Sequence, residues 1–515
     1  MPEKSGLETL SNYFNKLWRD EKPIAKLFRT EANRYLYDTG TNKIVSCDEL
    51  EYSLIDGFIE NGAVESLNKS ISINGLQRTI DAANKIRCFI EKEKILLSKK
   101  ATRFGLSCHY HDFEELVNSS LKILVLETTQ KCNFRCTYCI YNPEYEHKRN
   151  HGEKTMPLSI AQAAIDYLDK HSTKLDRVSI TFYGGEPLIE LDFIKSCINY
   201  SRAVINGKKH INYSLTTNGS LITQDVARYL KDNDFSVTLS LDGPKEIHDL
   251  YRVDINKKGT FERTISGLIN LHKAFKNSFS ERVILNMVYT PPYSERKLGR
   301  IASLWNELPW LPKDLTVQLT YPTPGSIPKI AIDQAGPEDK NFHQWAIDKY
   351  VDLFNCEDDR NPVFVSFVEK ELAVLLKRPI FAAPLDRYSL NGCCVPGERR
   401  LFVTTDGKFH VCERISVDAP VIGNIYSGVD TQAIKKIYID DYEAYSLPRC
   451  SDCWGIRLCG LCYAHVDYRD GWVCAEKEKR CNAYLYFKQK LLTLLCRLLE
   501  KDPNCLAHLY NRDIK

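Results

Sequence analysis

The chain has 515 residues, of which 43% are hydrophobic and 27% charged, and its formal net charge is +3. That length exceeds one ordinary core and predicts roughly two to four domains of a soluble globular protein. The near-neutral balance supplies no basic field for nucleic acid. The N-terminal MPEKSGLETLSNYF has no apolar run of a secretory signal, and the most apolar late stretch, Leu491 to Leu499, is too short to cross a bilayer. A cytoplasmic chain without nucleic-acid or membrane partners is expected.

In chain order, short strands are predicted at 24–29, 33–38 and 43–47, with Asp38-Thr39-Gly40 turning between the last two. Helical periodicity follows at 49–60 and 76–97, where Ile80, Ala83, Ile86 and Ile90 share one face. Three small strands with helices suit a winged-helix-like module over residues 1–107. From Leu121 the pattern alternates: strands at 123–126, 178–183, 211–216, 235–241, 283–288 and 315–319, separated by helical stretches. One of those helices carries Ala161, Ala164, Ile165 and Leu168 on a stripe. This repetition predicts a parallel α/β architecture over 115–325, with a site at the strand C-terminal ends. Residues 326–385 read as a bridging region with helical stretches, and 386–515 as a separate cysteine-rich domain. Within the latter, residues 402–411 alternate around Asp406-Gly407 as a hairpin.

The 19 cysteines are unevenly spread, and more than half lie between Cys393 and Cys505. In a chain without a secretory signal, clustered thiols point to metal ligation rather than disulfides. Cys132, Cys136 and Cys139 stand on one loop directly after the first strand of the α/β region. Three such thiolates can hold three irons of a [4Fe–4S] cube and leave the fourth for a small molecule; structural zinc suits three ligands poorly. Gly184-Gly185-Glu186 ends the second strand, where bare backbone and a carboxylate could receive an ammonium group. Asn218 ends the third strand and Ser240 the fourth; as Asn-Gly and Asp-Gly stretches these are also plain turn chemistry.

The CxxxCxxC loop resembles the signature of the radical S-adenosylmethionine (SAM) superfamily, and the later motifs occur in that family's order. The resemblance covers Leu121 to about Tyr321. It implies a partial (βα)6 TIM barrel whose cube at Cys132, Cys136 and Cys139 binds SAM, cleaves it with one electron and yields a 5′-deoxyadenosyl radical. SAM contacts are then implied for Tyr138 (the adenine loop), Gly184, Gly185, Glu186 (the amino group), Asn218, Ser240 and Arg252 (the carboxylate).

The C-terminal spacing resembles the SPASM domain, which implies two auxiliary [4Fe–4S] clusters and three cubes in all. Cys394, Cys412 and Cys462 would hold the inner one, its last iron open or taken by Cys393 or substrate. Cys450, Cys453 and Cys459 would hold the outer one, with Cys474 or Cys481 as fourth ligand and Cys474 preferred. The Cys459–Cys462 spacing is one residue shorter than the family pattern. Paired Cys-x2-Cys also reads as zinc knuckles. Cysteines 47, 88, 197, 356, 496 and 505 read as small core residues, and Cys108-His109-Tyr110-His111 as a solvated linker.

The N-terminal module resembles the leader-peptide recognition element of enzymes that mature ribosomal peptides, and it offers a strand edge for an extended leader. Together the parts resemble sactisynthases and ranthipeptide maturases. That implies thioether crosslinks in a precursor with a leader and a cysteine-containing core, and a flavodoxin or ferredoxin as electron donor. Carbon–carbon crosslinking, epimerisation and sulfatase-type formylglycine formation are alternatives; the last is disfavoured because that group generally lacks a leader-binding module. A zinc-dependent peptide-binding protein is the non-catalytic alternative.

Overall fold

The structure, a computed structural model, describes residues 2–18, 21–105, 112–142, 149–205, 207–323, 326–327, 339, 341–354, 360–385, 387–390, 392–415, 418–473 and 475–510. The N-terminal region opens with a helix, Pro2–Leu17, and continues into strands β1 (Ala25–Arg29), β2 (Arg34–Asp38) and β3 (Ile44–Cys47). They form an antiparallel sheet in the order β1-β2-β3. Asp48 then starts a helix, Glu49–Glu60: its carboxylate accepts from the Leu50 and Glu51 amides, and Glu51 reciprocates to the Asp48 amide. Helices Ala63–Asn74 and Leu76–Glu93 complete the module. Phe14, Leu54, Phe58, Leu67, Ala83, Ile86 and Ile90 form its own core. All three strands stand within a residue of their predicted bounds, while the helices at 2–17 and 63–74 were not expected.

After a two-residue strand β4 (Phe104–Gly105), the central sheet begins. Its strands are β5 (Ile123–Thr129), β6 (Arg177–Gly184), β7 (His210–Thr217), β8 (Phe235–Ser240), β9 (Val283–Val288) and β10 (Thr316–Thr320). They lie parallel in sequence order, as the alternating pattern predicted. Side chains alternate in kind as well as direction. Val178, Ile180 and Phe182 of β6, Val237 and Leu239 of β8, and Leu285 and Met287 of β9 are fully buried in the main core. The other face carries Ser179, Thr181, Asn212, Ser214, Thr216, Ser236, Thr238 and Asn286, all half-buried. A filled barrel packs branched apolar residues inward; this second face is instead rich in hydroxyl and amide side chains.

A short strand β11 (Tyr388–Ser389) pairs with β4. The expected hairpin follows as β12 (Arg400–Val403) and β13 (Phe409–His410), closed by the Gly407 amide donating to Thr404 O at 2.9 Å. Its position was not expected. β12 lies parallel to β5, with Arg400 opposite Ile123 and Val403 opposite Leu126, so the sheet has eight strands in the order β10-β9-β8-β7-β6-β5-β12-β13. The cysteine-rich region therefore shares its backbone hydrogen bonds with the central domain. The helix Ala475–Lys501 closes the chain and buries Leu491, Leu492, Leu494, Leu495 and Leu498 in the main core. No described helix is long and apolar enough to cross a membrane.

Candidate functional site

The loop after β5 carries Cys132, Cys136 and Cys139, and two further strand ends close on it. Gly185 N donates to Thr129 O and Glu186 N to Lys131 O, both at 2.8 Å. This approach requires bare backbone: a Cβ at Gly184 would lie 2.3 Å from the Thr129 oxygen, and one at Gly185 only 2.0 Å from that of Lys131. The glycines expected to approach a ligand thus dock β6 against the cysteine loop.

Glu186 is fully buried and accepts from Thr217 Oγ1 at 2.8 Å, Asn218 N at 2.8 Å and Leu188 N at 3.1 Å. Burial pushes its carboxyl above the usual range, and these three donors oppose the shift. Its carboxylate ties β6 to β7. Asn218 extends the tie: its side-chain amide donates to Asn133 Oδ1 at 2.9 Å and stands 4.0 Å from the Cys132 sulfur.

Tyr138 is likewise tied in: its hydroxyl donates to Asp242 Oδ2 at 2.6 Å and accepts from Arg252 Nη1 at 2.7 Å. Arg252 is 6% exposed, and its Nε is buried with no partner. A buried guanidinium with an unspent donor suits a carboxylate. Ser240 ends β8 in register with Ser236 and Thr238, and its hydroxyl bonds to nothing among the described residues. The Asp242 partnership was hidden in the sequence by its Asp-Gly turn. Lys297, which donates to Thr290 O and Oγ1 and to Pro291 O beside this group, gave no signal at all.

The thiols themselves are gathered. Burial first, then Glu186, Cys136 and Cys139, push the Cys132 thiol up, and burial with Cys136 pushes Cys139 up to about 12. The Phe134 amide points at the Cys132 sulfur and the Tyr141 amide at that of Cys139, each at 3.4 Å. Binding a metal would release the protons of such thiols.

Two further thiol groups stand beyond β5. Cys412 follows β13, and burial, Glu413 and Cys462 push its thiol up to about 12. Tyr463 is buried against Cys393, Cys394, Cys412 and Cys462 together, and its hydroxyl donates to Cys394 O at 2.8 Å. Cys450 ends the helix Tyr442–Cys450, and successive turns bring Cys453 and Cys459 back towards it. Burial, then Cys450, Cys459 and Cys481, raise the Cys453 thiol to about 12. Cys481 therefore joins this group, while the preferred Cys474 lies outside the described residues. No three described His, Cys, Asp or Glu side chains converge tightly enough for a single metal ion. Cys197 and Cys496 are buried as expected, Cys47, Cys88 and Cys505 are partly so, and Cys108, Cys356, His109 and His111 lie outside the described residues.

Between the first and second thiol groups runs a buried polar junction. Tyr141 donates to Glu127 Oε1 at 2.8 Å, Thr405 N to Glu127 Oε2 at 2.9 Å, and Arg149 Nη1 to Glu413 O at 3.0 Å. Arg149 Nη2, His410 Nδ1 and Glu413 Oε2 are buried without partners there.

Residues 126–304 match the Radical SAM superfamily. The chain is 26% identical over 351 residues to a cysteine-type anaerobic sulfatase-maturating enzyme of Clostridium novyi, covering 66% of this chain and 87% of that one. It is 24% identical over 254 residues to the radical SAM cyclopropyl synthase TigE of Paramaledivibacter caminithermalis, 46% of this chain and 50% of that one. Among solved structures, native anSMEcpe with bound AdoMet and Cp18Cys peptide superposes with a TM-score of 0.56 at 21% identity, over 74% of this chain and 99% of that one. The cysteine loop and the strand ends that close on it lie within the residues that match the Radical SAM superfamily.

Proposed function

We propose that the protein modifies a ribosomally made peptide, forming thioether bonds between cysteine sulfur and carbon. The observation that carries this reading is the arrangement of the thiols: Cys132, Cys136 and Cys139 follow the C-terminal end of β5, and Cys412 follows the hairpin that extends the same sheet. Cys132, Cys136 and Cys139 would hold the SAM-binding cube, which supplies one-electron cleavage of the sulfonium and hydrogen abstraction from the substrate. Arg252, with its unspent Nε, would orient the SAM carboxylate. Cys394, Cys412 and Cys462 would hold an inner cube, and Cys450, Cys453, Cys459 and Cys481 an outer one. The hydroxyl-rich face of the sheet would receive an extended peptide, and the unpartnered atoms of Arg149 and Glu413 are the donor and acceptor that a peptide group would satisfy. The sheet β1-β2-β3 leaves the outer edges of β1 and β3 open to a leader strand.

A second reading, formylglycine formation, is favoured by the identity to the Clostridium novyi enzyme over most of its length. One experiment separates the two. Anaerobically purified, reduced protein is given SAM and the cysteine-containing peptide encoded beside its gene. Thioether formation removes two hydrogens per crosslink and leaves no free thiol at that cysteine; formylglycine yields a hydrazide-reactive aldehyde. Unchanged peptide alongside normal SAM cleavage excludes both.

A further inference from the structure

A hairpin turn ordinarily lies at the surface. The turn between β2 and β3 does not: Asp38, Thr39, Thr41 and Asn42 are fully buried. It inserts into the loop that carries Cys450, Cys453 and Cys459. Thr39 O accepts from Arg457 Nε at 2.6 Å, and Thr39 Oγ1 donates to Trp454 O at 2.8 Å. Both partners lie between Cys453 and Cys459. Just beyond the module, Ala101 N donates to Ser451 O at 2.8 Å, between Cys450 and Cys453. The turn is wedged from its other side, where Phe381 N donates to Thr41 O at 2.9 Å and Asn42 Nδ2 to Pro379 O at 2.8 Å. Gly40 leaves no slack: a Cβ there would stand 2.9 Å from both Pro384 and Ser98.

We infer that the N-terminal module is a wall of the outer iron–sulfur site, with Thr39 and Gly40 positioning the Cys450–Cys459 loop so that its thiols can hold a cube. The inference rests on the outer-cluster reading given above. Loops carrying metal ligands depend on the hydrogen bonds behind them for ligand orientation. Here two of those bonds come from a segment more than four hundred residues away in sequence. A peptide bound at the module's strand edge would then be felt at the outer cluster, because the same hairpin forms both.

The test uses the full chain, purified anaerobically, with iron counted and the reduced protein examined by electron paramagnetic resonance. Wild-type protein is expected to hold about twelve irons, and Gly40→Leu about eight, with SAM cleavage and the other two signals kept. Thr39→Val keeps the shape and removes only the bond to Trp454; its outer-cluster signal is expected to shift. Glu500→Ala, which loosens the module at the β1–β2 turn rather than at Thr39 and Gly40, is expected to keep all the iron. Full iron and unaltered spectra in Gly40→Leu and Thr39→Val overturn the inference, as does equal iron loss in Glu500→Ala. Should Gly40→Leu fail to fold, Thr39→Val decides alone: a shifted signal supports, a wild-type signal overturns. Wild-type protein with only about eight irons instead overturns the three-cube reading beneath it.

Discussion

Gly185 shows how a single missing side chain sets the site. Its Cα stands where a methyl group would lie 2.0 Å from a carbonyl oxygen of the cysteine loop. Gly185→Ala must therefore push β6 and that loop apart, and we expect loss of about four irons per chain and of SAM cleavage, read by iron assay and by the release of cleavage products. Arg252→Met tests the opposite kind of residue, one that spends a charge. Tyr138 and Asp242 still pair without it, so the fold should persist while SAM affinity falls about tenfold or more, the cost of one charged hydrogen bond, measured by calorimetry. A third residue governs acid stability. His343 is packed between Phe367 and Phe487, and burial lowers its pKa to about 4. Because the folded value lies below the unfolded one near 6.5, its contribution is intact above pH 6.5 and is lost as pH falls through about 4. At pH 5 the deficit approaches about 2 kcal/mol, so thermal melts between pH 7 and 5 should fall less steeply for His343→Leu than for the wild type.

Elements were legible where their periodicity was undiluted. The six strands β5 to β10 were predicted within a few residues, because β6, β8 and β9 each bury an alternating apolar face and β5 is a continuous buried run. The helix Ala63–Asn74 escaped notice because Ser, Asn and Lys dilute its pattern and Gly62 gives it no side-chain cap; Ala63 and Leu67 hold it by packing. The helix Leu76–Glu93 was expected to reach Leu97, but Lys94 adopts a left-handed conformation with φ of 56° and stops it. Contacts between distant elements left no local trace. Glu500 of the helix Ala475–Lys501 accepts from Thr30 Oγ1 at 2.7 Å, Asn33 Nδ2 at 2.9 Å and Tyr35 Oη at 2.7 Å, pinning the β1–β2 turn. Glu500→Ala should cost about 1–3 kcal/mol and speed amide exchange in β1 and β2 more than in β5 to β8, as read by hydrogen–deuterium exchange.

At the scale of the whole molecule, the site was legible as a set of cysteines but not as a set of partnerships. Spacing identified Cys132, Cys136 and Cys139, yet spacing could not reveal that Glu186 and Tyr138 would be spent on Thr217, Asn218, Asp242 and Arg252. Nor could it reveal that residues 400–403 would cover the edge of β5, a pairing across more than 270 residues. That pairing makes the cysteine-rich region part of the central fold rather than an appended domain. Removing residues 386–515 would strip β12 from β5, leaving four residues of hydrogen-bonding edge open beside an apolar core. It would also remove the leucines of the last helix from that core. Unpaired, flat, apolar edges template association between chains. The truncated protein is therefore expected to aggregate or elute as large oligomers in size-exclusion chromatography with light scattering. A monomer that still assembles the first cube and cleaves SAM would show the parallel sheet to be complete without its hairpin, and the shared-sheet account would fall.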